Sequence, residues 1–453
     1  MKKYWTLIIL SVFSALLAPE VYSHSFCVTQ LIFVIVTFAF YYKDCKEDGL
    51  LTFPVIFSIG FVCVNYLYPT LFYPFPYLRY ISMFGYGFNE MIINYATSVA
   101  TCAYTCIIGG YMYQKNKFAR EVPKENSSKK VIISGKLVSF LIVLYWIIVV
   151  YFLAIDGLEF FSAQFSHGTM SGNKLGGYLF ALISPISFSI LLTGFYTKKW
   201  IFPLISVLVL CVLVLSTSSR TFPLAMMTTI ICLLNDKVRR FGVLELVGMC
   251  IVAVLSLSLV GYLRNDEGNI TSVTADDITA LIDNRSGEES FGFVQELVIN
   301  NHSLYTLIDY TKKNGINWGV TQLGLIAGII PGAQSILLYA FGLDAYYLNS
   351  ASFNTLITAG RGSTKGMGTN AVSDVYLSFG LFGVVIIFFL LGKYARKFFV
   401  GKNDSYLNDV AYYVLMSDAI YMCRAPLFGF VKTILWTIFI MWICAKITKT
   451  KLQ

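Results

Sequence analysis

Two cations lie in the glycine-rich segment "GRGSTKGMGT", residues 360–369, which leads directly into an apolar run. Arg361 and Lys365 could bind an anion there, because glycines let the backbone approach a ligand closely. The segment is not a nucleotide-binding loop, which requires G-x-x-x-x-G-K-[ST] between a strand and a helix. Two interpretations remain open. The segment binds a phosphate-bearing lipid, or its two cations anchor an irregular stretch at the membrane interface.

Further arginines lie beside other apolar runs. Arg220 ends the short turn "STSSR", Arg264 follows the run before the longest polar segment, and Arg424 lies in the turn "CRAP". An arginine side chain is planar and always charged, and its five N–H donors match the oxygens of a phosphate. Cations from four chain regions at one membrane depth would converge on an anion, and a diphosphate fits their number of donors.

The elements that position these residues are membrane-spanning helices. Of the 453 residues, 57% are hydrophobic and only 13% are charged, well below the charged fraction of a soluble protein. The apolar runs match a bilayer core of about 30 Å. We therefore predict an all-α polytopic membrane protein of about 12 transmembrane helices, the first of them an uncleaved span rather than a signal peptide. The predicted spans are 4–22, 25–42, 50–68, 91–114, 131–154, 176–196, 199–217, 220–235, 241–263, 371–392, 407–423 and 427–445.

The chain divides into three predicted parts. Residues 1–263 carry spans one to nine, residues 264–370 form one large outer loop, and residues 371–453 carry spans ten to twelve. The apolar segment of the loop, "GVTQLGLIAGIIPGAQSILLYAFGL", is broken by glycines and Pro331. We predict that it is a re-entrant or interfacial element rather than a span. A large ordered loop on the membrane is typical of a working surface.

Positive charges orient the predicted spans. With both termini inside, the inner segments carry 23 of the 34 Lys and Arg residues, as expected of cytoplasmic loops. This distribution also accounts for the net charge of +9, which therefore does not indicate nucleic-acid binding.

The two sides differ in the type of cation. The inner side carries 19 Lys and 4 Arg, and the outer side 5 Lys and 6 Arg. Orientation requires only positive charge, so arginine on the disfavoured side needs a second explanation. Contact with lipid headgroups explains one or two of them, and phosphate binding explains the others. The outer arginines are Arg79, Arg220, Arg264, Arg285, Arg361 and Arg424.

Three segments resemble the Wzy-type oligosaccharide repeat-unit polymerases, the O-antigen and enterobacterial-common-antigen polymerases. "STSSRTFPLAMM" resembles the family's small-residue turn ending in an arginine, and "GYLRNDEGN" resembles the start of the large periplasmic loop. "GTNAVSDVYLSFGLFGVV" resembles the closing signature, and the span layout also matches. Some members carry an arginine with a glycine eleven residues later. Neither Arg220 nor Arg361 has that glycine, so their roles are not transferred by this pattern.

The resemblance implies a GT-C-like membrane glycosyltransferase of the bacterial inner membrane with its active site facing the periplasm. A glycan leaves undecaprenyl diphosphate and joins the non-reducing end of a new lipid-linked repeat unit. The implied partners are that lipid-linked oligosaccharide, the bilayer, a Wzx-type flippase and a Wzz-type chain-length regulator, with no nucleic acid. The alternatives are an O-antigen ligase, which shares the chemistry, and a flippase. A flippase needs polar groups at the midplane, whereas nearly all charges here lie at span ends.

This reaction needs cations for the leaving diphosphate and a base for the acceptor hydroxyl. Asp374, at the outer start of a span, is the predicted base. Its alternative roles are an ion pair with an arginine or a helix-start carboxylate favoured by the helix dipole. The sequence has no D-x-D motif with flanking ligands, so we expect no metal and no other cofactor. Other candidate bases are Asp266, Glu267, Glu288, Glu289, Glu296, His302 and His167. The predicted catalytic residues are Arg220, Arg361 and Asp374, and the predicted substrate-binding residues are Arg264, Arg285, Lys365, Arg424 and His302.

Overall fold

The computed structural model describes residues 1–80, 82–120, 134–154, 174–216, 221–246, 248–249, 298–363, 366–402 and 404–450. Within these ranges the chain is helical and has no strand, in agreement with a polytopic helical membrane protein. Contacts divide the chain into two compact units. The first comprises 1–128, 297–402 and 418–432, and the second comprises 129–296, 403–417 and 433–453.

The helices before the large loop are α1 (Lys2–Leu16), α2 (His24–Asp44), α3 (Phe53–Leu67), α4 (Ile93–Arg120), α5 (Gly135–Phe152), α6 (Lys174–Tyr196), α7 (Ile201–Ser216) and α8 (Thr221–Lys237). The helices after residue 298 are α9 (Asn301–Asn314), α10 (Val320–Ala327), α11 (Ala333–Phe341), α12 (Ser350–Ala359), α13 (Ala371–Val400), α14 (Tyr406–Asp418) and α15 (Gly429–Ile447). Side-chain caps start several of them. Ser23 Oγ accepts from Phe26 N at 3.3 Å, and Asn370 Oδ1 accepts from Val372 N at 2.8 Å, which pairs a first-turn donor that the helix leaves unsatisfied.

Seven helical stretches in the described ranges are long and apolar enough to cross a membrane, and each coincides with a predicted span. α1, α7, α8 and α14 occupy four further predicted positions but contain only 13 to 17 residues. The predicted span at 241–263 lies mostly outside the described residues. The count of twelve and the orientation therefore stay predictions. The seven stretches are His24–Asp44, Phe53–Phe72, Glu90–Phe118, Gly135–Phe152, Tyr178–Tyr196, Ala371–Val400 and Gly429–Ile447.

α4 is the central helix of the first unit and packs against α1, α2 and α13. Glycines allow α4 and α13 to cross closely. A Cβ atom on Gly110 would overlap the carbonyl oxygen of Phe389, and one on Gly392 would overlap the carbonyl oxygen of Ile107. Small residues at such crossings are how membrane helices gain packing contacts where lipid removes the hydrophobic driving force.

A buried ion pair fixes the end of α13. Arg396 Nη1 donates to Asp48 Oδ2 at 2.6 Å and to Tyr111 Oη at 3.2 Å, and Arg396 is only 7% exposed. A buried charge is destabilising unless it is paired. Arg396, which the charge distribution assigns to the inner side, is therefore a structural residue.

α13 is interrupted at Gly380, whose φ of 66° and ψ of −164° are not helical. The carbonyl oxygen of Leu377 lies at this break and accepts from Asn317 N at 2.9 Å. Ser378 Oγ lies 3.3 Å from Thr321 Oγ1. Polar groups of the large loop thus provide hydrogen-bond partners for α13 at the position where its own backbone hydrogen bonds are interrupted. An apolar environment requires such partners. The break makes residues 371–379 a short helix of their own.

In its described residues the large loop contributes four α-helices to the first unit. α9 packs against α13 and α12. The predicted re-entrant segment consists of α10 and α11, of 8 and 9 residues. At about 1.5 Å per residue, each reaches less than half of the bilayer core, so neither spans it. α11 has no buried residue, and Tyr339 on it is 92% exposed. Insertion of this segment into the bilayer stays a prediction.

In the second unit, α6 packs against α5, α7 and α8. Tyr413 Oη of α14 donates to Asp236 Oδ2 of α8 at 3.1 Å. Lys237 Nζ lies 3.9 Å from the buried Asp409 Oδ2. The described candidate site residues all lie in the first unit.

Candidate functional site

Half of the predicted site residues lie in the described ranges, namely His302, Arg361, Asp374 and Arg424. The others, Arg220, Arg264, Arg285 and Lys365, lie outside the described residues. Convergence of the outer cations on one anion therefore stays a prediction.

Arg361 lies on a glycine turn directly after α12. Gly360 and Gly362 have φ values of 81° and 78°, and a Cβ on either would meet nothing within 4 Å. Glycine is therefore favoured at these two positions by the left-handed backbone conformation and not by a lack of space for a side chain. Gly362 N donates to Tyr346 Oη at 2.9 Å. The turn holds the Arg361 side chain at the surface, where it is 74% exposed.

The Arg361 guanidinium has a carboxylate partner that the sequence did not indicate. Its Nη1 lies 2.8 Å from Asp344 Oδ2. Asp344 also caps the turn at 345–348, since its Oδ1 accepts from Tyr346 N at 3.2 Å. An exposed ion pair contributes little to stability because water screens it. The Arg361–Asp344 pair is therefore not a main contributor to the stability of the fold.

Asp374 is fully buried in the first turn of α13. Its Oδ2 accepts from Leu427 N at 2.9 Å, and the side chains of Gln322 and Ser350 lie beside the carboxyl group. Its Oδ1 is buried without a hydrogen-bond partner among the described residues. In this arrangement the carboxylate fastens the short helix 371–379 to the turn that follows Arg424.

Arg424 ends the 3-10 helix Tyr421–Arg424. Its guanidinium carbon lies 5.7 Å from the centre of the Tyr421 ring, and its Nε is buried without a hydrogen-bond partner in the described ranges. The hydrogen bond from Leu427 to Asp374 ties this turn to α13. The structure thus brings the neighbourhoods of Arg424 and Asp374 together, although neither side chain contacts the Arg361–Asp344 pair in any hydrogen bond of the described residues.

A set of buried asparagines supports the glycine-rich segment and was missed by the sequence analysis. Asn370 Nδ2 donates to Asn65 Oδ1 at 2.8 Å, and Asn301 Nδ2 donates to the carbonyl of Val64 at 2.8 Å. Asn354 Nδ2 donates to the carbonyl of Gly368 at 3.1 Å. All four asparagines are fully buried. An asparagine inside an apolar run, such as Asn65 in "FVCVNYLYP", is the sequence signal that identifies such positions.

His302 is fully buried and does not reach the surface of the first unit. Its Nε2 lies 3.1 Å from the carbonyl oxygen of Gly87. A carbonyl only accepts, so Nε2 carries the proton. The ring packs edge-on against Phe84 and Phe88. Burial lowers the pKa of His302 to about 4, so the imidazole is neutral and positions the loop at Gly87.

Arg79, one of the arginines on the predicted outer side, has a structural explanation. Arg79 Nε donates to the carbonyl of Tyr73 at 3.2 Å, and its guanidinium lies over the Tyr73 ring at 4.3 Å. In the described ranges no three His, Cys, Asp or Glu side chains group as a metal site would. The expectation of a metal-free reaction stays a prediction.

A family model described as O-antigen polysaccharide polymerase Wzy matches residues 3–453, nearly the whole chain. No curated protein and no solved structure matches the chain.

Proposed function

This chain belongs to the O-antigen polysaccharide polymerase Wzy family, and we propose that it polymerises undecaprenyl-diphosphate-linked repeat units at the periplasmic face of the bacterial inner membrane. The family implies polymerisation of O-antigen repeat units and acts on lipid-linked units in the membrane. The match over residues 3–453 is the observation that carries the proposal, and the seven apolar helices support its membrane setting.

The proposed reaction transfers a glycan between two lipid-linked molecules. The bond between the sugar anomeric carbon and the diphosphate oxygen breaks, and the acceptor hydroxyl oxygen forms the new glycosidic bond. The hydroxyl proton passes to a base, and undecaprenyl diphosphate leaves with the bonding electron pair. Charge therefore grows on the diphosphate in the transition state, where fixed cations stabilise it.

In this proposal Arg361 binds the leaving diphosphate. Three features favour this role. The Arg361 side chain is exposed, its partner Asp344 is partly exposed, and the glycines on either side of Arg361 form the turn that carries it. Arg220 shares the catalytic role, and Arg264, Arg285, Lys365 and Arg424 complete the anion site. Arginine can bridge two phosphate oxygens at once.

Asp374 is the base in this proposal. Asp374 would need the turn at 424–427 to move before its carboxylate could reach an acceptor hydroxyl, because Leu427 N occupies Oδ2. Hydrogen bonds in an unliganded site often rearrange when substrate binds, so we retain Asp374 in this role.

Deletion of the gene in its native strain tests the function. A polymerase acts after the flippase and before the ligase, so single units should still reach the lipopolysaccharide. We expect the ladder on a gel to collapse to core plus one repeat and to be restored by the intact gene. A bare core in the deletion strain would instead indicate the ligase or the flippase.

The same strain tests Arg361 with a matched control. An Arg361→Ala copy should leave the one-repeat pattern, whereas an Arg239→Ala copy should restore the ladder. Arg239 is also exposed and also pairs with a carboxylate, Glu245 at 2.6 Å, but it lies on the predicted inner side. Equal ladders from both copies would remove Arg361 from the site.

A further inference from the structure

A groove with a volume of about 240 Å³ opens on the first unit, apart from the Arg361 turn and from Asp374. Three chain regions form it: the loop at 86–89, the second half of α9, and residues 357–358 of α12. Its polar and aromatic lining includes Tyr86, Asn89, Asp309, Tyr310, Lys313 and Asn314.

The groove has an oriented carboxylate on one wall. Asp309 Oδ1 accepts from Asn89 Nδ2 at 2.8 Å, and Oδ2 accepts from Lys313 Nζ at 2.6 Å. A carboxylate offers about four lone-pair positions, so two donors leave room for hydroxyl groups of a ligand. The paired Lys313 balances the charge of Asp309. A neutral, hydroxyl-rich ligand therefore suits this groove better than a phosphate does.

Tyrosine rings supply the apolar surface of the groove. Tyr86 is 47% exposed, and the Tyr310 ring is fixed edge-on against Phe353 with 5.1 Å between ring centres. A sugar ring presents C–H groups on its faces and hydroxyls on its rim. Aromatic rings combined with a few convergent polar groups match both features.

The walls are held in place before any ligand binds. His302 donates to the Gly87 carbonyl, and Asn89 Oδ1 accepts from Met91 N at 3.2 Å. Such preorganisation reduces the entropy lost on binding.

Asn354 connects the groove to the glycine-rich segment. Its Oδ1 accepts from Thr306 Oγ1 at 2.7 Å and from Thr358 Oγ1 at 3.3 Å, and both threonines line the groove. Its Nδ2 donates to the carbonyl of Gly368 at 3.1 Å. Hydrogen bonds through Asn354 therefore link the groove to the segment that carries Arg361.

We propose that this groove is a glycan subsite that holds one sugar ring of the lipid-linked oligosaccharide while its diphosphate occupies the arginine site. This inference rests on the proposed function and adds a place for the sugar. The volume is below the roughly 300 Å³ at which ligand pockets begin, so it suits a single ring of a longer chain.

Binding of the released oligosaccharide to the full chain in nanodiscs tests the subsite. The probe is the repeat-unit oligosaccharide that mild acid frees from the lipid-linked pool of the native strain. Saturation-transfer NMR should detect its binding to the wild-type protein. Tyr86→Ala and Asp309→Asn should each weaken it by about tenfold or more, while Tyr86→Trp, which keeps an aromatic face, should retain it. Tyr77→Ala is the matched control, since Tyr77 is 77% exposed on the same outer loop but does not line the groove.

The outcomes separate this inference from the proposed function. If the wild type does not bind the probe, or both groove variants bind it normally, the subsite is wrong, even when the deletion strain shows the one-repeat pattern. If the deletion leaves the ladder intact while the groove variants lose binding, the glycan site stands and polymerisation is wrong. Thermal unfolding shows whether each variant is folded. If one of the two groove variants does not fold, binding by the other variant and by Tyr86→Trp decides the outcome.

Discussion

At the scale of single residues, the two arginines with the clearest surroundings differ in what their charge does. Arg396 is buried and its carboxylate, Asp48, is nearly so, which makes the pair part of the fold. Arg361 is 74% exposed, and Asp344 retains 26% exposure. An exposed arginine that is weakly paired keeps its donors available to a ligand.

Replacement of Arg361 by lysine tests whether polymerisation needs the two parallel N–H donors of the guanidinium. Lysine keeps the charge and the orientation signal but offers a point charge instead of two parallel donors. We expect polymerisation about 100-fold slower, the effect of losing one transition-state donor, with normal protein levels. The measurement is the rate of ladder formation in membranes that contain equal amounts of each variant.

Asp344→Asn decides why Arg361 is needed. Asparagine can still cap the turn at 345–348 but cannot pair with Arg361 as an ion. If Arg361 acts on the diphosphate, Asp344→Asn should polymerise at near the wild-type rate. If it only fastens the glycine turn to Asp344, this variant should be as slow as Arg361→Ala, and the catalytic role would be lost.

The partners of individual residues were beyond sequence analysis. Residue types showed that Arg361 lies among glycines beside an apolar run, but they did not indicate its partner. Its pairing with Asp344 depends on how α12 and the turn at 345–348 fold back. Asn89 and Asp309 meet across 220 residues, so no local pattern could join them. His302 was predicted to contact substrate, but its burial depends on Phe84 and Phe88 from a distant loop.

At the scale of elements, apolar runs predicted helices well because bilayer thickness dictates their length. The break at Gly380 was not predicted, since a glycine within "YLSFGLFGVV" is compatible with a continuous helix. The break depends on hydrogen-bond partners from outside α13, because Asn317 and Thr321 contact the groups that the helix leaves unpaired there. The segment at 319–343 was predicted to be re-entrant or interfacial because its glycines and Pro331 divide it, and this stays a prediction.

α11 offers a direct test of the interfacial prediction. Ile336, Tyr339 and Phe341 are 70%, 92% and 70% exposed, which would be unfavourable in water for adjacent large apolar side chains. We expect lipid to cover them. A nitroxide on Tyr339→Cys in reconstituted protein should collide more with oxygen than with a water-soluble nickel chelate. One on Asn314→Cys, at the end of α9, should show the reverse. Equal chelate collisions at both positions would place α11 in water.

At the scale of the whole molecule, the surroundings of the described arginines can be compared between the two predicted sides of the membrane. On the predicted inner side, Arg239 and Arg396 pair with carboxylates of the protein. On the predicted outer side, Arg79 packs on Tyr73, and Arg361 forms an exposed pair with Asp344. Arg424 has a buried Nε without a hydrogen-bond partner in the described residues. Exposed ion pairs thus occur on both predicted sides, at Arg239 and at Arg361, so the anion site on the outer side rests on the family and not on this comparison.

The orientation on which that site depends can be measured with single cysteines. Inner segments carry 23 of the 34 cations, and moving them across the membrane would oppose the insertion bias. In intact spheroplasts, a membrane-impermeant maleimide should therefore leave Asn126→Cys and Val238→Cys unlabelled and should label Ser290→Cys and Lys365→Cys. Permeabilised cells provide the control, because all four should then react. Protection of position 290 in intact cells would put the large loop in the cytoplasm, where no periplasmic polymer could be built, and the arginine site and the glycan subsite would both have to be abandoned.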